Sequence, residues 1–393
     1  MLRALTASLE RRGCEGWLVG GAPRDILLGR PCPDLDAVID ADPFDVAAEL
    51  SRAGFGTAVP LSDAAPRVAR LAGSTEVDLA ELTRGDIFED LARRDFTVNA
   101  VAVSLSDRAW IDPHRGAEDL ERGRLRMISA QNLREDPLRT LRAARFMAAL
   151  GLVPDRATSS ACRLTAPLLP SAAPERIRVE LEKLLSSPRV VPALSWAAKA
   201  DLLGAALGRP LSVRQAGSLV RGCPLDQTAV RRGPPSRRLE RRLVLLAAGL
   251  RMPPEEAVAW LASRRFSRSA SARIGLLLRL ARDAGQVATA DARWGWVRDA
   301  GLQASEALLL ARLLPSGPPP VLAAVARSLR AARRPPAVTG GDILEWLRMA
   351  PGPRVGELLR QVEIEGVRGR VRSRVQARRW LIRTSAPVVK AGT

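Results

Sequence analysis

Residues 18–30 read Leu18-Val-Gly-Gly-Ala-Pro-Arg-Asp-Ile-Leu-Leu-Gly-Arg30, and they are followed closely by Asp34-Leu-Asp36. The apolar residues before the glycine pair predict a short buried strand, Gly16 to Gly20. The residues after it predict a helix, because paired glycines allow a tight strand-to-helix turn. Asp34 opens a second predicted strand that runs to Asp40. Since alternate residues of a strand point to the same side, we expect Asp34 and Asp36 to project from one face of a sheet.

This order of elements favours a site for a nucleoside triphosphate. Backbone amides at Gly20 and Gly21 can approach phosphate closely at the start of a helix, and Arg24 can add a guanidinium. Asp34 and Asp36 can share one or two Mg²⁺ ions, since Mg²⁺ prefers hard oxygen ligands and leaves positions open for phosphate oxygens. A glycine pair alone is usually a turn, and two alternating aspartates are usually a solvated strand face. Their succession along the chain is what favours the site.

A third carboxylate is expected beside this pair. Arg67 to Leu71 and Glu76 to Leu79 predict two strands of a hairpin, joined by Ala72-Gly-Ser-Thr75. Asp78 lies on the second of these strands. There it would either complete the metal site or accept the proton of an attacking hydroxyl, and the sequence leaves both roles open.

The excess of basic over acidic residues lies in the second half of the chain. The 393 residues carry 61 Lys+Arg and 42 Asp+Glu; residues 1–200 hold 27 and 28 of these, which leaves 34 and 14 for the remainder. Nearly all of the basic residues are arginines, which bind phosphate in a bidentate manner. A neutral half followed by a strongly basic half predicts a catalytic head joined to a body that binds a polyanion.

Composition also excludes several classes of protein. The single histidine, His114, excludes HExxH metalloproteases, histidine-metal phosphohydrolase domains and multi-histidine zinc sites. No stretch approaches the roughly 18 unbroken apolar residues of a membrane span, and the N-terminus has no apolar signal core. The four cysteines lie far apart without a CxxC pair, which is typical of a reducing compartment. We therefore expect a cytoplasmic protein with no membrane partner.

Four motifs in order resemble those of the class II tRNA nucleotidyltransferases and bacterial poly(A) polymerases. They are residues 18–36 quoted above, Arg93-Arg-Asp-Phe-Thr-Val-Asn-Ala100, Asp112-Pro-His-Arg-Gly116 with Asp119-Leu120, and Glu135-Asp-Pro-Leu-Arg139-Thr-Leu-Arg142-Ala-Ala-Arg145-Phe146. Thr339-Gly-Gly-Asp-Ile-Leu and Pro351-Gly-Pro-Arg-Val-Gly-Glu-Leu-Leu359 resemble the C-terminal segment of the same family. Residues 200–335 match it only in helical character and charge.

The resemblance implies an α+β fold with a polymerase-β-like nucleotidyltransferase head, a small mixed sheet with helices, followed by an all-α neck, body and tail. The expected divisions are a head over residues 1–132, a helical neck with the base-reading helix over 133–200, a basic helical body over 201–335 and a helical RNA-binding tail over 336–393. From about residue 135 onward the apolar pattern is helical throughout, in agreement with this division. The clearest predicted helix runs from Leu133 to Gly151, with Pro137 in its first turn and Gly151 at its end.

The nucleotide contacts that the resemblance implies lie in the second and fourth motifs. The second is associated with sugar recognition, and the residues it contributes are Arg94, Asp95 and Asn99. The fourth reads the incoming base and faces the triphosphate, and the residues it contributes are Asp136, Arg139, Arg142 and Arg145. Successive members of this set are three residues apart, so neighbours share a helix face. A carboxylate and a guanidinium one turn apart offer an acceptor and a donor to the edge of a base.

The fourth motif also allows a purely structural interpretation. Asp136 would then cap a helix that begins beside Pro137, and the arginines that follow would form a solvated stripe. His114, in the third motif, is interpreted as a turn residue rather than as a base or a metal ligand. The other motifs favour the functional reading of Asp136.

A dense basic run near the C-terminus predicts RNA contacts. Its candidate RNA-binding residues are Arg368, Arg370, Arg372 and Arg374. Such a run is often only a solvated face, but in a basic chain phosphate contact is the favoured interpretation.

The resemblance implies a Mg²⁺-dependent nucleotidyltransferase that adds C residues, as CC or as full CCA, to a tRNA 3′ end from CTP and ATP with release of pyrophosphate. Family members that add the full CCA usually carry a flexible loop between the third-acid strand and the Arg-Arg-Asp motif. Here only 14 residues, 79–92, separate Asp78 from Arg93. This favours CC addition and a separate A-adding enzyme as a partner. The alternatives are a poly(A) polymerase of the same family, a non-catalytic RNA-binding protein on the same scaffold and a small-molecule nucleotidyltransferase.

Overall fold

The computed structural model describes residues 1–32, 34–82, 86–225, 227–314, 318–332, 338–367, 370–371 and 373–385. The chain divides into two compact units, Met1–Arg221 and Gly222–Thr393. No helix in these described ranges is both long and apolar enough to cross a membrane. The finer division into head, neck, body and tail stays a prediction.

A seven-stranded mixed sheet organises the first unit, with strand order β3-β4-β5-β2-β1-β6-β7. Its strands are β1 (Gly16–Val19), β2 (Asp34–Ile39), β3 (Thr57–Ser62), β4 (Val68–Ala72), β5 (Glu76–Glu81), β6 (Ala102–Ser104) and β7 (Trp110–Ile111). The central strands β2 and β5 are parallel, and the other neighbours are antiparallel. The expected hairpin is confirmed as β4 and β5, whereas the edge strand β3 was not predicted.

Helices surround this sheet and make up most of the rest of the first unit. They are α1 (Leu2–Arg12), α2 (Gly21–Leu27), α3 (Pro43–Arg52), α4 (Ile87–Ala92), α5 (Gly116–Glu121), α6 (Ala130–Glu135), α7 (Leu138–Leu150), α8 (Arg156–Thr165), α9 (Pro174–Ser186), α10 (Val190–Lys199), α11 (Leu202–Leu207) and α12 (Val213–Gly222). The short parallel strands β8 (Arg124–Leu125) and β9 (Val153–Pro154) pair between them. The 3₁₀ helices Thr97–Asn99 and Ala166–Ser171 complete the unit.

Alternation along the central strands places an apolar core on each side of the sheet. On one side Leu35 and Val77 pack with α1 and α3, through residues such as Leu5 and Val46. On the other side Val38 packs with residues of β1, β6 and α4. Burial of these side chains stabilises the sheet by about 25 cal/mol per Å² of apolar surface removed from water. The N-terminal ends of β2 and β5 extend beyond this second core, and there the same face carries carboxylates.

The fourth motif does not form one continuous helix. The helix expected over residues 133–151 is interrupted, because α6 ends at Glu135 and α7 begins at Leu138. Asp136 between them has extended backbone angles, φ −130° and ψ 91°. The cause is Pro137, since a residue that precedes proline is driven out of the helical region. Gly151 ends α7 in the left-handed conformation, as expected.

The second unit is helical wherever the structure describes it. Its helices are α13 (Thr228–Arg231), α14 (Pro235–Gly249), α15 (Pro254–Ser263), α16 (Arg268–Asp283), α17 (Ala290–Ala300), α18 (Ala304–Leu313), α19 (Pro319–Ala332), α20 (Gly340–Leu347), α21 (Pro353–Val367) and α22 (Arg374–Ser385), with a 3₁₀ turn at Gly301–Gln303. The last three helices share one apolar core, which includes Ile343, Val362 and Leu381. The fold expected for the whole chain, an α+β head followed by helices alone, is confirmed.

Candidate active site

Asp34 and Asp36 lie on one exposed face at the start of β2, on either side of the buried Leu35. Burial of its carboxyl and the charges of Asp78 and Asp34 raise the pKa of Asp36, against the opposing charges of Arg94 and Arg142. Within the described residues, no guanidinium lies within 4.0 Å of either aspartate. The predicted acid pair is therefore brought together without an ion pair, although the two arginines act on Asp36 from farther away.

Gly20 permits a close approach between the turn and this pair. It has φ +70°, and a Cβ added there would lie 3.1 Å from Oδ2 of Asp36 and 3.2 Å from Nη1 of Arg94. Glycine thus satisfies both the left-handed backbone and the narrow space. Gly21 begins α2, whose seven residues make a short helix. So short a helix has a weak dipole, and the positive charge near the turn comes mainly from arginine side chains.

Asp78 lies on β5 directly opposite Asp36 in the parallel register. Its carboxylate is held by Arg70 of β4 in a bidentate ion pair, with Nε at 2.7 Å from Oδ1 and Nη2 at 2.8 Å from Oδ2. A carboxylate paired in this way has both oxygens engaged. Asp78 therefore reaches the expected place beside the acid pair, but it is bonded to an arginine that the sequence analysis did not assign.

A hydrogen-bonded chain links the first, second and fourth motifs. Nη1 of Arg24 donates to Oδ1 of Asn99 at 2.7 Å, and Nδ2 of Asn99 donates to Oδ1 of Asp95 at 2.9 Å. Oδ2 of Asp95 lies 2.8 Å from Nε of Arg142. Burial raises the pKa of Asp95, but the Arg142 charge and the hydrogen bonds from Asn99 and from the Phe96 amide outweigh it and hold that pKa below its ordinary value. The predicted sugar and phosphate residues therefore form one connected group.

Arg94 is fixed by an acid that the sequence analysis missed. Its Nη2 donates to Oδ2 of the buried Asp90 at 2.7 Å, and Arg93 pairs with the other oxygen. Although burial raises the pKa of Asp90, the two arginines hold it below its ordinary value. A local signal existed, because Asp90 stands three and four residues before the arginines, the spacing of neighbours on a helix.

The predicted base-reading pair lies at the junction between α6 and α7. Oδ1 of Asp136 accepts from the Leu138 amide at 3.3 Å, and Oδ2 accepts from Arg176 of α9 at 2.8 Å. Nε of Arg139 lies 4.0 Å from the same Oδ2. The two residues are adjacent as expected. The N-cap position of α7 is Pro137, so Asp136 contacts the first turn of α7 without being the N-cap that the structural interpretation predicts.

Arginines from two elements surround one aromatic ring. The guanidinium carbons of Arg145, Arg24 and Arg142 lie 4.3, 5.5 and 5.8 Å from the centre of the Phe146 ring. Nε of Arg145 also lies 3.0 Å from Oε2 of the buried Glu180 on α9. Such contacts hold cations over an aromatic face. Glu180 gave no sequence signal, since it lies 35 residues beyond its partner along the chain.

The predicted RNA-binding arginines are only partly described. Arg368 and Arg372 lie outside the described residues. The side chain of Arg370 is 70% exposed and lies 3.4 Å from Glu365. Arg374 pairs with Asp342, the acid of the capping box that begins α20, and lies 5.5 Å from the Trp346 ring. Arg374 begins α22, whereas Arg370 lies in the connection between α21 and α22, and of the two Arg374 is the more closely paired.

The acid pair suits a hard divalent cation that binds together with phosphate. Within the described ranges, no three His, Cys, Asp or Glu side chains converge as a closed cation cage. Asp34 and Asp36 nevertheless present two carboxylates on one face with no basic partner within 4.0 Å in the described part of the chain. Mg²⁺ is commonly held by one or two carboxylates, with substrate phosphates and water as its other ligands. The donor set therefore fits Mg²⁺.

The chain is similar in sequence to two described protein families and to tRNA nucleotidyltransferases. Residues 16–83 and 62–126 match the family described as "Poly A polymerase head domain", and residues 151–207 match "Probable RNA and SrmB- binding site of polymerase A". A CC-adding tRNA nucleotidyltransferase of Geobacter sulfurreducens is 40% identical over 210 residues, which are 53% of this chain. That match covers 49% of the relative, so the chain spans about half the length of this curated CC-adding protein.

Other similarities extend over nearly the whole chain. The crystal structure of the Bacillus stearothermophilus CCA-adding enzyme in complex with CTP has a TM-score of 0.70 and 27% identity, and the match covers 98% of this chain and 96% of that one. The CCA-adding enzyme of Geobacillus stearothermophilus is 31% identical over 406 residues, which cover 95% of this chain and 94% of the relative. The chain therefore belongs to the family of tRNA nucleotidyltransferases and bacterial poly(A) polymerases.

Proposed function

We propose that this chain is a Mg²⁺-dependent nucleotidyltransferase that adds C residues to the 3′ end of tRNA from CTP and stops at CC. The 3′-hydroxyl of the RNA attacks the α-phosphorus of CTP, a new phosphodiester bond forms, and pyrophosphate leaves with the electrons of the broken bond. The protein itself, rather than a nucleic acid, selects the base.

One contrast between neighbouring carboxylates supports this proposal above all others. Four aspartates of the neighbouring strand and motifs are each held by an arginine within 4.0 Å: Asp78, Asp90, Asp95 and Asp136. Asp34 and Asp36 form no ion pair of this length with another described residue. Two carboxylates on one face of a strand repel each other, and a divalent cation that binds both relieves this repulsion. They are therefore the residues that we assign to the metal.

The chain's own groups bind and orient the nucleotide. Gly20 and Gly21 leave room for the triphosphate beside Asp36, while Arg24 and Arg142, joined through Asn99 and Asp95, present guanidiniums on the same side. The chemistry that Mg²⁺ supplies when bound is a lower pKa for the attacking hydroxyl and neutralisation of phosphate charge. Positioning of the two reactants is then the main contribution of the protein.

Base selection is assigned to Asp136 and Arg139. Their side chains lie close together at the start of α7, and offer an acceptor and a set of donors in a fixed arrangement. Arg176, which holds Asp136, is 54% exposed and free to move toward solvent when a base arrives. Arg94, Asp95 and Asn99 are assigned to the sugar, and Arg145 to the support of Arg142 through the ring that they share.

The stop at CC is inferred from the length of one connection. β5 ends at Glu81 and α4 begins at Ile87, so the link consists of the five residues 82–86. This is an ordinary short connection. Family members that add the full CCA usually carry a flexible loop in this place. A separate A-adding enzyme would complete the 3′ end, and the cell compartment of both would be the cytoplasm.

The basic residues of the second unit are assigned to the RNA. Residues 201–393 carry 34 Lys+Arg against 14 Asp+Glu, which suits a polyanion larger than a mononucleotide. Arg370 is the described candidate that is most open to a phosphate, because its side chain is 70% exposed. A nucleotidyltransferase that acts on small molecules would not need this surplus of basic residues.

The test uses three tRNA transcripts that end before CCA, after C and after CC. Each is incubated with the full chain, Mg²⁺ and either CTP, ATP or both, and the products are sized on a sequencing gel. We expect two C residues on the first transcript, one on the second and no extension of the third with ATP. Efficient completion to CCA would overturn the stop at CC, and a long A ladder would indicate a poly(A) polymerase.

Two variants decide whether the chain is catalytic at all. Asp34→Asn is expected to abolish addition, whereas Asp40→Asn, an exposed carboxylate just beyond the other end of the same strand, is expected to leave it intact. RNA binding without addition in the unaltered chain would identify a non-catalytic binding protein on this scaffold.

A further inference from the structure

The parallel register of β2 and β5 places four carboxylates on one face of the sheet. Asp34 is opposite Glu76, and Asp36 is opposite Asp78. Neighbouring strands lie about 4.8 Å apart, and like charges directly opposite each other repel. This arrangement is stable only if the charge of some of the four acids is compensated.

Arg70 offsets part of this charge, chiefly on one of the two strands. It is the antiparallel partner of Asp78 on β4, and its Nε and Nη2 contact the two carboxylate oxygens of Asp78 at 2.7 and 2.8 Å. Its Nη1 also lies 3.4 Å from Oε2 of Glu76. One guanidinium thus offsets one of the two negative charges that Glu76 and Asp78 place on this face, while Asp34 and Asp36 on β2 remain without an ion pair in the described part of the chain.

We propose that Arg70 is a positioning residue of the cation site: it holds Asp78 away from the cation, so that Asp34 and Asp36 alone supply the protein's carboxylate ligands. This inference rests on the proposed function, because it concerns the same acid pair. It assigns Asp78 neither of the two roles that the sequence left open for it, because its carboxylate is oriented toward Arg70 and its charge is offset there.

The proposal makes a directional prediction for metal affinity. Removal of Arg70 frees Asp78 and adds a third carboxylate beside the pair, which increases the number of hard ligands for a divalent cation. Arg70→Ala is therefore expected to bind Mn²⁺ on the order of tenfold more tightly than the unaltered chain. Asp78→Asn is expected to change Mn²⁺ affinity by less than about threefold, because its carboxylate is not a ligand.

The measurement is the free Mn²⁺ signal in electron paramagnetic resonance during titration of the full chain without nucleotide. Arg67→Ala serves as the matched control for the loss of one positive charge. Arg67 lies just before the same strand and pairs with Glu81 at 2.7 Å, not with Asp78. Arg70→Lys keeps the charge but loses the bidentate geometry, and it is expected to show part of the tightening. Circular dichroism confirms that each variant is folded.

A second readout does not depend on affinity alone. Without metal, Arg70→Ala leaves four carboxylates on one face without an ion pair, so the melting temperature of this variant falls. Added Mn²⁺ is expected to raise that melting temperature by more than it raises the melting temperature of the unaltered chain. The double variant Arg70→Ala/Asp78→Asn is expected to lose this additional rise.

Three results would overturn the proposal: an Asp78→Asn variant that binds Mn²⁺ tenfold more weakly, an Arg70→Ala variant that shows no tightening, or an equal tightening in Arg67→Ala. Failure of the proposed function itself looks different. In that case Asp34→Asn and Asp36→Asn would bind Mn²⁺ as well as the unaltered chain, whatever Arg70→Ala does.

Discussion

Nε of Arg142 lies 2.8 Å from Oδ2 of Asp95, and this ion pair joins α7 to the loop that carries the second motif. The carboxylate is buried and also accepts from the Phe96 amide and from Asn99. Since Asn99 in turn accepts from Arg24, one buried acid fixes groups from three motifs. Asp95 therefore contributes both to the stability of the first unit and to the arrangement of the candidate site.

Asp95→Asn is expected to destabilise the first unit and to reduce addition. The change leaves Arg142 without its charge partner and weakens the position of Asn99, and breaking a largely buried pair costs about 2–4 kcal/mol. Urea denaturation measures the loss of unfolding free energy. The control is Glu182→Gln, which removes a surface i,i+4 pair with Arg178 on α9 and should cost less than about 0.5 kcal/mol. Equal effects of the two changes would contradict a special role for Asp95.

The same acid predicts how stability depends on pH. The pKa of Asp95 is held below its ordinary value in the folded protein, whereas an unfolded Asp has a pKa of about 3.9. The folded state therefore binds fewer protons, and the stabilisation is present above about pH 4 and is lost as the pH falls through the folded pKa. The difference in unfolding free energy between the unaltered chain and Asp95→Asn should stay constant from pH 7 to pH 5 and shrink below about pH 4. A difference that grows on acidification would show that the sign is wrong.

Asp36→Ala is expected to lose activity without losing stability. Removal of a carboxylate assigned to the metal should lower the rate of CTP addition at least about 100-fold, while the affinity for tRNA stays within a factor of about three. Because Asp36 faces Asp78 and Asp34 without a basic partner, its removal should leave the melting temperature unchanged or slightly higher. Single-turnover assays, filter binding and thermal unfolding measure the three quantities. A large fall in melting temperature would instead assign Asp36 to the fold.

The two described arginines of the C-terminal basic run should behave differently toward RNA. Arg370 is exposed and only loosely paired, so Arg370→Ala should weaken tRNA binding and lower the salt slope by about one. The guanidinium of Arg374 is already neutralised by Asp342, and Arg374→Ala should affect the slope less. Filter-binding measurements at salt concentrations from about 50 to about 200 mM distinguish the two variants. Equal slopes for both variants would refute the distinction.

The sequence predicted those parts of the fold and site that depend on local spacing. The strand at Asp34, the helix after Gly20 and Gly21 and the hairpin around Asp78 have local signals in alternation and in glycine, and the structure contains all three. The break at Asp136 was missed although Pro137 was visible, because the apolar pattern of the two flanking helices is nearly continuous. The helical periodicity of the apolar residues does not reveal that a single residue between two helices is extended.

Partners from distant elements could not be predicted in this way. Arg70 is two strands away from Asp36 in the sheet, and Glu180 reaches Arg145 from another helix. Such contacts depend on strand order and helix packing, which the spacing of residues along one segment does not contain. Sequence reasoning therefore identified charged groups that the structure brings together, and missed the opposite charges that hold several of them in place.

Two glycines with positive φ, one on each side of α2, differ in how crowded their surroundings are. Gly20 has φ +70° and Gly29 has φ +62°, but only the first has neighbours within 4 Å of an added Cβ, namely Asp36 at 3.1 Å and Arg94 at 3.2 Å. Alanine should cost at least about 1 kcal/mol at either position through backbone strain, and more at Gly20, whose ψ of −117° lies outside the left-handed helical region. Gly20→Ala should additionally displace Asp36 and Arg94, and so reduce CTP addition at least about tenfold, since small misplacements at a reacting centre are costly.

Parallel melting curves and single-turnover rates for Gly20→Ala and Gly29→Ala test this. We expect a fall in melting temperature in both variants, larger in Gly20→Ala, and a loss of rate confined to Gly20→Ala. If both variants lose rate equally, the loss reflects destabilisation of α2, which the two glycines flank. If neither variant loses rate, the turn accommodates the added methyl group, and the close approach of Gly20 to Asp36 is not needed for binding the triphosphate.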